Sequence, residues 1–375
     1  MVPNQPPHAA AAPVGDALWL NQPQAQSHWL DSAGPVLALD TEFVRERTFW
    51  PKLALVQLSA GDTAVLIDPL QCPDATVLGA ALSDPARTIL MHSASEDLTA
   101  LRPLQPAPML GLYDTQIAAA FAGLGPGIGY QGLVHELTGT LLDKQETRSN
   151  WLARPLSARQ IDYALDDVRY LDALHAALDA RLSERGYRDW HREDCRRLAQ
   201  AGWQAEPDLQ PQRSFRNAWR WPLAAQAQLR RMLLWREQAA RERDLPRRWV
   251  IDDETLATAA MDPAHSGARL VARLDAGAPG RRRALQPLLN LLAKPLTDAE
   301  IQATEAITDP RDPAVRAVGK RLRAQVQAQA ERLDLPPGLL CPRRAIEALA
   351  ETGQWPEELE GWRRTVLEES LISKL

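Results

Sequence analysis

The sequence predicts an α/β domain built on a mixed sheet, followed by an all-helical C-terminal half. Three observations carry this expectation. Short apolar runs suited to strands crowd the N-terminal quarter, helical periodicities dominate from about Ser95, and beyond Gly202 the composition turns to interleaved Arg and Trp. Strands first, with helices between and after them, argue a layered α/β arrangement. The 375 residues suffice for two or three domains.

Residues 1–15 are rich in Pro and Ala and read as a disordered N-terminus. The α/β domain is expected over 16–205. In Val36-Leu-Ala-Leu-Asp-Thr-Glu-Phe43 an apolar strand leads into two carboxylates. Side chains alternate across a strand, so Asp40 and Glu42 share a face. Like charges at the end of a buried strand repel and lose hydration. A bound cation reverses both costs, and oxygen-only ligands suit Mg²⁺ or Mn²⁺. From these eight residues alone, an ordinary strand end with solvated acids is the competing reading.

Leu53–Ser59 and Thr63–Pro69 read as two further strands, joined at Gly61-Asp62 as a hairpin. Thr88–Met91 is a fourth. Ser93 with Glu96 three residues later is a capping-box pattern that opens a helix. Asp97 then lies in the first turn, either as a dipole-favoured acid or as a further metal ligand at the C-terminal end of a strand. His92 is expected to support the loop. Asp114 reads as the N-cap of a helix through Ile117–Phe121. Gly123–Gly132 is a Gly-rich loop without a phosphate-binding pattern. Lys144 and Arg148 follow in a polar segment, as phosphate contacts or as a solvated loop.

Ser157 and Gln160 form a second capping box, opening one apolar helical face over 157–185. At about 100° per residue, Asp166 falls on the solvent side and Asp167 on the shoulder of the buried face. Tyr163 lies one turn before Asp167, on the same side. A carboxylate edging into the core beside a phenol needs a partner.

Composition bounds the function. Apolar content of 45% and charged content of 24% are those of an ordinary globular protein, and the net charge of −5 gives no overall attraction to nucleic acid. Any such binding must come from local patches. No apolar run approaches a membrane span. The first cation is Arg45, so no basic leader is read. Cys72, Cys195 and Cys341 are scattered, without metal-ligand or disulfide spacing. The expectation is a reduced, cytoplasmic compartment, with no stable protein partner.

Asp40-Thr-Glu42, Asp97 within Ser-Glu-Asp-Leu, and Tyr163-x-x-x-Asp167 resemble, in order, the three exonuclease motifs of the DEDD superfamily, in its tyrosine-bearing branch. Asp40-Thr-Glu-Phe-Val-Arg-Glu-Arg47, Leu66-Ile-Asp-Pro-Leu70 and Trp151-Leu-Ala-Arg-Pro-Leu156 are similar, more narrowly, to the bacterial ribonuclease D family. The likeness covers residues 16–205 closely. Asn150 departs from it, standing where relatives are expected to carry an acid, but it is not one of the four ligands. The resemblance implies a ribonuclease H-like exonuclease domain. It also implies two divalent ions held by Asp40, Glu42, Asp97 and Asp167, with Asp40 bridging them, and a water oriented by Tyr163. It implies a 3′-to-5′ exoribonuclease that trims tRNA precursors and releases nucleoside 5′-monophosphates. A DNA exonuclease and a nuclease-dead RNA-binding adaptor are the rival readings.

Residues 206–214 read as a linker. Gln212–Trp249 then carries ten Arg against three acids, with Trp219, Trp221, Trp235 and Trp249 interleaved. Such interleaving can stack on and neutralise single-stranded nucleic acid, although a solvated Arg face with Trp in the core is expected for at least two of the four. The segment resembles the start of a helicase-and-ribonuclease-D C-terminal (HRDC) domain. This implies one such all-α module over 215–298 and, chiefly by length, periodicity and the Arg311–Arg323 basic run, a second over 299–375. Arg230, Arg231, Arg281 and Arg282 are candidate RNA contacts. Because every candidate acid precedes residue 170, the first domain is expected to work without these modules.

Overall fold

The computed structural model describes residues 17–142, 146, 149–262, 271 and 279–373, with only the backbone of 279–285. The expected N-terminal tail, Lys144 and Arg148 lie outside the described residues, as do the side chains of Arg281 and Arg282. Among the described residues no helix is long and apolar enough to cross a membrane.

Six strands form one mixed sheet in the order β1-β4-β3-β2-β5-β6. They are β1 (Leu18–Trp19), β2 (Val36–Val44), β3 (Lys52–Ala60), β4 (Thr63–Ile67), β5 (Thr88–Met91) and β6 (Leu112–Asp114). β2 lies antiparallel to β3, which lies antiparallel to β4. The pairs β1/β4, β2/β5 and β5/β6 are parallel. The hairpin stands where expected, with Ala60 opposite Thr63 and Gly61 at φ +56°; that left-handed angle is what glycine permits. Two short edge strands, β1 and β6, were not expected. Both are too brief to show a period and exist because parallel neighbours offer them a ladder. β2 runs past Asp40 because β3 pairs with it as far as Val44 opposite Lys52, with an irregularity after Glu42.

Both sheet faces are buried. Leu37, Leu39, Leu58, Ile89 and Met91 pack against α1 (Pro23–Ser32), α2 (Thr76–Ser83), α3 (Ser95–Leu101) and Cys195 and Ala199 of α8 (Arg188–Gln204). On the other face, Ala38 and Leu90 meet α4 (Thr115–Phe121), α5 (Tyr130–Thr138) and α7 (Leu171–Arg185). Leu55 and Leu66 meet Ala164 and Leu165 of α6 (Ala158–Arg169) and Trp151. All three cysteines are free and buried.

Among the described residues, the C-terminal half holds helices and no strand. α9 (Leu223–Glu242), α10 (Arg247–Val250), α11 (Asp253–Met261) and a helix over Pro279–Leu292 share a core that also takes in Phe49 from the β2–β3 loop. Trp221 and Trp235 pack against that core, while Trp249 is exposed. The later helices Pro313–Leu333, Arg343–Thr352 and Trp362–Ile372 do not stand apart. Leu322, Val326, Leu349 and Leu367 join the cluster of α4 and α7. Trp362 stacks on Trp190, ring centres 4.5 Å apart and 10° from parallel. Arg363 grips buried Asp194, Nη2 to Oδ2 at 2.7 Å. The apolar surface of the first domain is thus completed from the end of the chain, which weighs against the expectation that this domain works without the helical modules.

Candidate active site

β2 carries Asp40 opposite Gln57 and Glu42 opposite Leu55, and α6 packs across β2 and β3 to bring Asp167 beside them. Carboxylate oxygens of Asp40, Glu42 and Asp167 all lie within 4.8 Å of one another. Asp97, on α3, stands outside that set but close enough to repel Asp40, and its Oδ1 accepts a 2.5 Å hydrogen bond from Thr41 Oγ1. Four acids from three distant stretches thus share one place.

Their electrostatics follow from crowding without a counter-charge. Burial, then Asp97, Asp167 and Glu42, hold the Asp40 carboxyl well above the ordinary carboxylate range. Burial, then Asp167 and Asp97, push Glu42 up to about 9. Burial is also the largest cause at Asp167, pushed to about 7, and at Asp97, pushed to about 6. At Asp167 a hydrogen bond from Tyr163 opposes the rise, and at Asp97 the Thr41 bond does so. The donor set is all oxygen and short of positive charge, which fits hard divalent cations.

The loop that presents Asp97 differs from its sequence reading. The Ser93–Glu96 capping box does not form: Ala94 occupies the N-cap without a side-chain cap bond, and Ser93 has φ +59°. Asp114 takes over. Its carboxylate accepts from the Ala94 amide at 2.8 Å and the Ser93 amide at 3.3 Å, while also capping α4 through Gln116 and Ile117. One carboxylate caps α4, whose first backbone N–H groups lack helical partners, and holds the turn that leads into α3. His92 supports the loop as expected, Nδ1 on Thr115 Oγ1 and Nε2 on the Ile128 carbonyl.

The single helix expected over 157–185 is two. The Ser157–Gln160 capping box forms and opens α6, but α6 ends at Arg169 and α7 starts at Leu171. The Tyr130 hydroxyl enters the break, donating to the Asp166 carbonyl at 2.8 Å and accepting from the Tyr170 amide at 3.4 Å. A group inserted into the helical ladder bends the helix. Nothing in the 157–185 pattern could reveal this, because Tyr130 arrives from another element. Asp166 is half-buried and pairs with Arg169 at 2.6 Å, while its neighbour Asp167 joins the acids.

Comparison with known proteins agrees with this geometry. A family model described as a 3′-5′ exonuclease matches residues 21–183. Ribonuclease D of Xanthomonas oryzae is 42% identical over 362 residues, spanning 95% of this chain and 98% of that one. The chain belongs to the ribonuclease D family. Ribonuclease D of Escherichia coli is 34% identical over 92% of this chain and 93% of its own. The crystal structure of Escherichia coli RNase D superposes with TM-score 0.83 at 31% identity, covering 96% of this chain and 99% of that one. The chain is a 3′-5′ exoribonuclease; its ribonuclease D relatives do not favour the DNA-exonuclease or adaptor readings.

Two stretches that carried the ribonuclease D resemblance prove structural. Asp68 of Leu66–Leu70 is buried and holds Arg154 of Trp151–Leu156, Nε to Oδ2 at 2.6 Å and Nη2 to Oδ1 at 2.9 Å. Burial raises the Asp68 carboxyl, but the Arg154 bond and the Leu70 amide outweigh it and leave it below its ordinary value. Of the expected RNA contacts, Arg231 is committed within the chain: it pairs with Glu300 at 2.7 Å and donates to the Lys294 and Pro295 carbonyls. It locks α9 to the next helices, which the sequence could not show because its partners lie sixty residues on. Arg230 is half-exposed, with Nε on the Leu209 carbonyl.

Proposed function

We propose that this ribonuclease D family member trims 3′ extensions from tRNA precursors, releasing nucleoside 5′-monophosphates, with two Mg²⁺ or Mn²⁺ ions held by Asp40, Glu42, Asp97 and Asp167. The observation that carries this reading is the convergence of four crowded acids, Asp97 buried and the other three half-buried, with Tyr163. Paired divalent ions, when bound, generate a nucleophile from water and neutralise the leaving oxygen. Asp40, at the centre of the mutual repulsion, is the residue suited to face both ions. Tyr163 donates to Asp167 and retains its oxygen lone pairs, so it can orient a water beside that carboxylate. A phenol's reference pKa near 10 makes orientation its role.

The Escherichia coli protein is described as an exoribonuclease involved in structured RNA processing, which supports a folded RNA substrate here. The helical regions 215–298 and 299–375 are proposed as two HRDC modules that grip it, following the 16–205 exonuclease domain and the 206–214 linker. Arg316, Lys320 and Arg323, at helical spacing on Pro313–Leu333, line a cavity of about 750 Å³ whose other cations, Arg213, Arg216 and Arg343, are paired with Glu305, Glu351 and Glu347. A phosphate backbone would neutralise Arg316, Lys320 and Arg323. Lys144, Arg148, Arg230, Arg281 and Arg282 remain candidate contacts.

The test is digestion of a 3′-extended tRNA precursor and a matched DNA strand by the full-length protein, with each metal or with chelator. Expected is stepwise loss of 3′ ribonucleotides as 5′-monophosphates, absent in chelator. Full activity in chelator would overturn the metal assignment, and equal digestion of DNA would overturn the RNA preference.

A further inference from the structure

We propose a second anion site, remote from the acids, that takes a phosphate group. β5 and β6 are parallel, and Asp97 and Asp114 follow or end their C-terminal ends. At the opposite end, where Thr88 and Leu112 begin these strands, a cavity of about 260 Å³ opens against α7 and α8.

Its charge is one-sided. Arg87, Arg188, Arg192 and Arg196 line it, against the single carboxylate of Asp179. Three of these arginines recur every four residues along α8, so they share one face. Like charges at that spacing oppose helix formation, which calls for a compensating anion. Asp179 answers only Arg188, Nε to Oδ1 at 2.9 Å. Arg192 bonds Asp189 at 2.7 Å, an acid outside the lining with its side chain 88% exposed. Arg87 is fixed by the Gly34 and Leu30 carbonyls at 2.8 and 2.9 Å and lies 3.9 Å from Asp84. Arg196 is exposed and has no hydrogen bond or ion pair among the described residues.

The floor supplies the second observation. Tyr113 is 8% exposed, and its hydroxyl is buried without a hydrogen-bond partner. Native structures rarely leave such a donor unmet. Its ring is clasped by His175 and His191, ring centres 4.5 and 4.3 Å away. Burial lowers both imidazoles, so the arginines carry the charge. Gly111 lets the Arg87 carbonyl approach so closely that an added Cβ would stand 1.8 Å from it, which fixes the mouth. Several guanidinium forks and a phenol around a small cavity match the many acceptor oxygens of phosphate. The phosphate can come from a free nucleotide or from an RNA strand.

The test uses full-length protein without divalent metal, so that RNA stays intact. Calorimetric titrations use inorganic phosphate and adenosine 5′-monophosphate; anisotropy follows a labelled tRNA. Expected is saturable binding of at least one probe, weakened about tenfold in Arg196→Gln and further in Arg192→Gln/Arg196→Gln. Both positions are exposed, so the fold is retained. Tyr113→Phe should weaken it less. A strand phosphate as ligand lowers tRNA affinity and its salt slope in the double variant; a free nucleotide as ligand leaves tRNA binding unchanged while adenosine monophosphate binding falls. Binding of all three probes that is absent, or untouched by these variants, would overturn the proposal.

Discussion

The Tyr130 hydroxyl occupies the place of a helical hydrogen bond between the Tyr170 amide and the Asp166 carbonyl. The break it creates comes three residues after Asp167, so the first residue of α5 sets the angle at which α6 delivers a proposed metal ligand.

Tyr130→Phe removes that bridge while keeping the ring. The freed amide and carbonyl can then pair directly, straightening α6 into α7 and turning Asp167 away. Turnover is expected to fall by up to about 10²-fold, the scale of a misplacement of about 1 Å at a catalytic group, with a higher Mn²⁺ requirement and little change in melting temperature. Unchanged metal dependence with full turnover would show that the bridge does not position Asp167.

Asp40→Asn and Asp167→Asn should abolish trimming, because each removes the charge of a proposed ligand, whereas Asp166→Asn, which loses only the Arg169 pair, should cost little. In chelator the first two variants should melt higher than the parent, since they relieve repulsion among crowded, half-buried acids. A gain of about 1 kcal/mol is roughly 1 °C for a chain of this size. Comparable activity losses at 166 and 167 would refute the assignment of the two acids.

The acid cluster also sets a pH dependence. Glu42, Asp167 and Asp97 sit at about 9, 7 and 6 in the folded chain, above ordinary carboxyl values. With raised folded pKa values, the metal-free native state holds protons that the unfolded chain has already released. Stability therefore falls as pH rises from about 4 through about 9. Saturating Mg²⁺ or Mn²⁺ displaces those protons and should flatten the slope. Calorimetry across this range, with metal and with chelator, checks it; parallel curves would contradict it.

Ending the chain near residue 210 should not give a soluble nuclease. It uncovers Phe121 and Trp190 and strips Asp194 of Arg363. Leaving one member of a buried pair alone costs about 3–5 kcal/mol. The truncated protein is expected to aggregate or to bind apolar dyes, and Arg363→Ala in the full chain should lower its melting temperature. A monomeric, active fragment would show that the shared core is dispensable.

The sequence by itself determined the strands that alternate or run apolar, the hairpin at Gly61-Asp62, the Ser157 cap and the candidate acids, because each is a local pattern of period, turn chemistry or spacing. It also placed Tyr163 and Asp167 on one side of a helix, since one turn is fixed by helical geometry alone. The tertiary structure decided the rest. Asp114, not a Ser93–Glu96 box, holds the loop that leads into the Asp97 helix, Tyr130 divides the helix after Asp167, Arg231 is consumed inside the chain, and the C-terminal helices complete the core of the first domain. Each is a contact between residues far apart in the chain. A buried donor or acceptor takes whichever partner the fold brings within reach, and no local pattern names that partner.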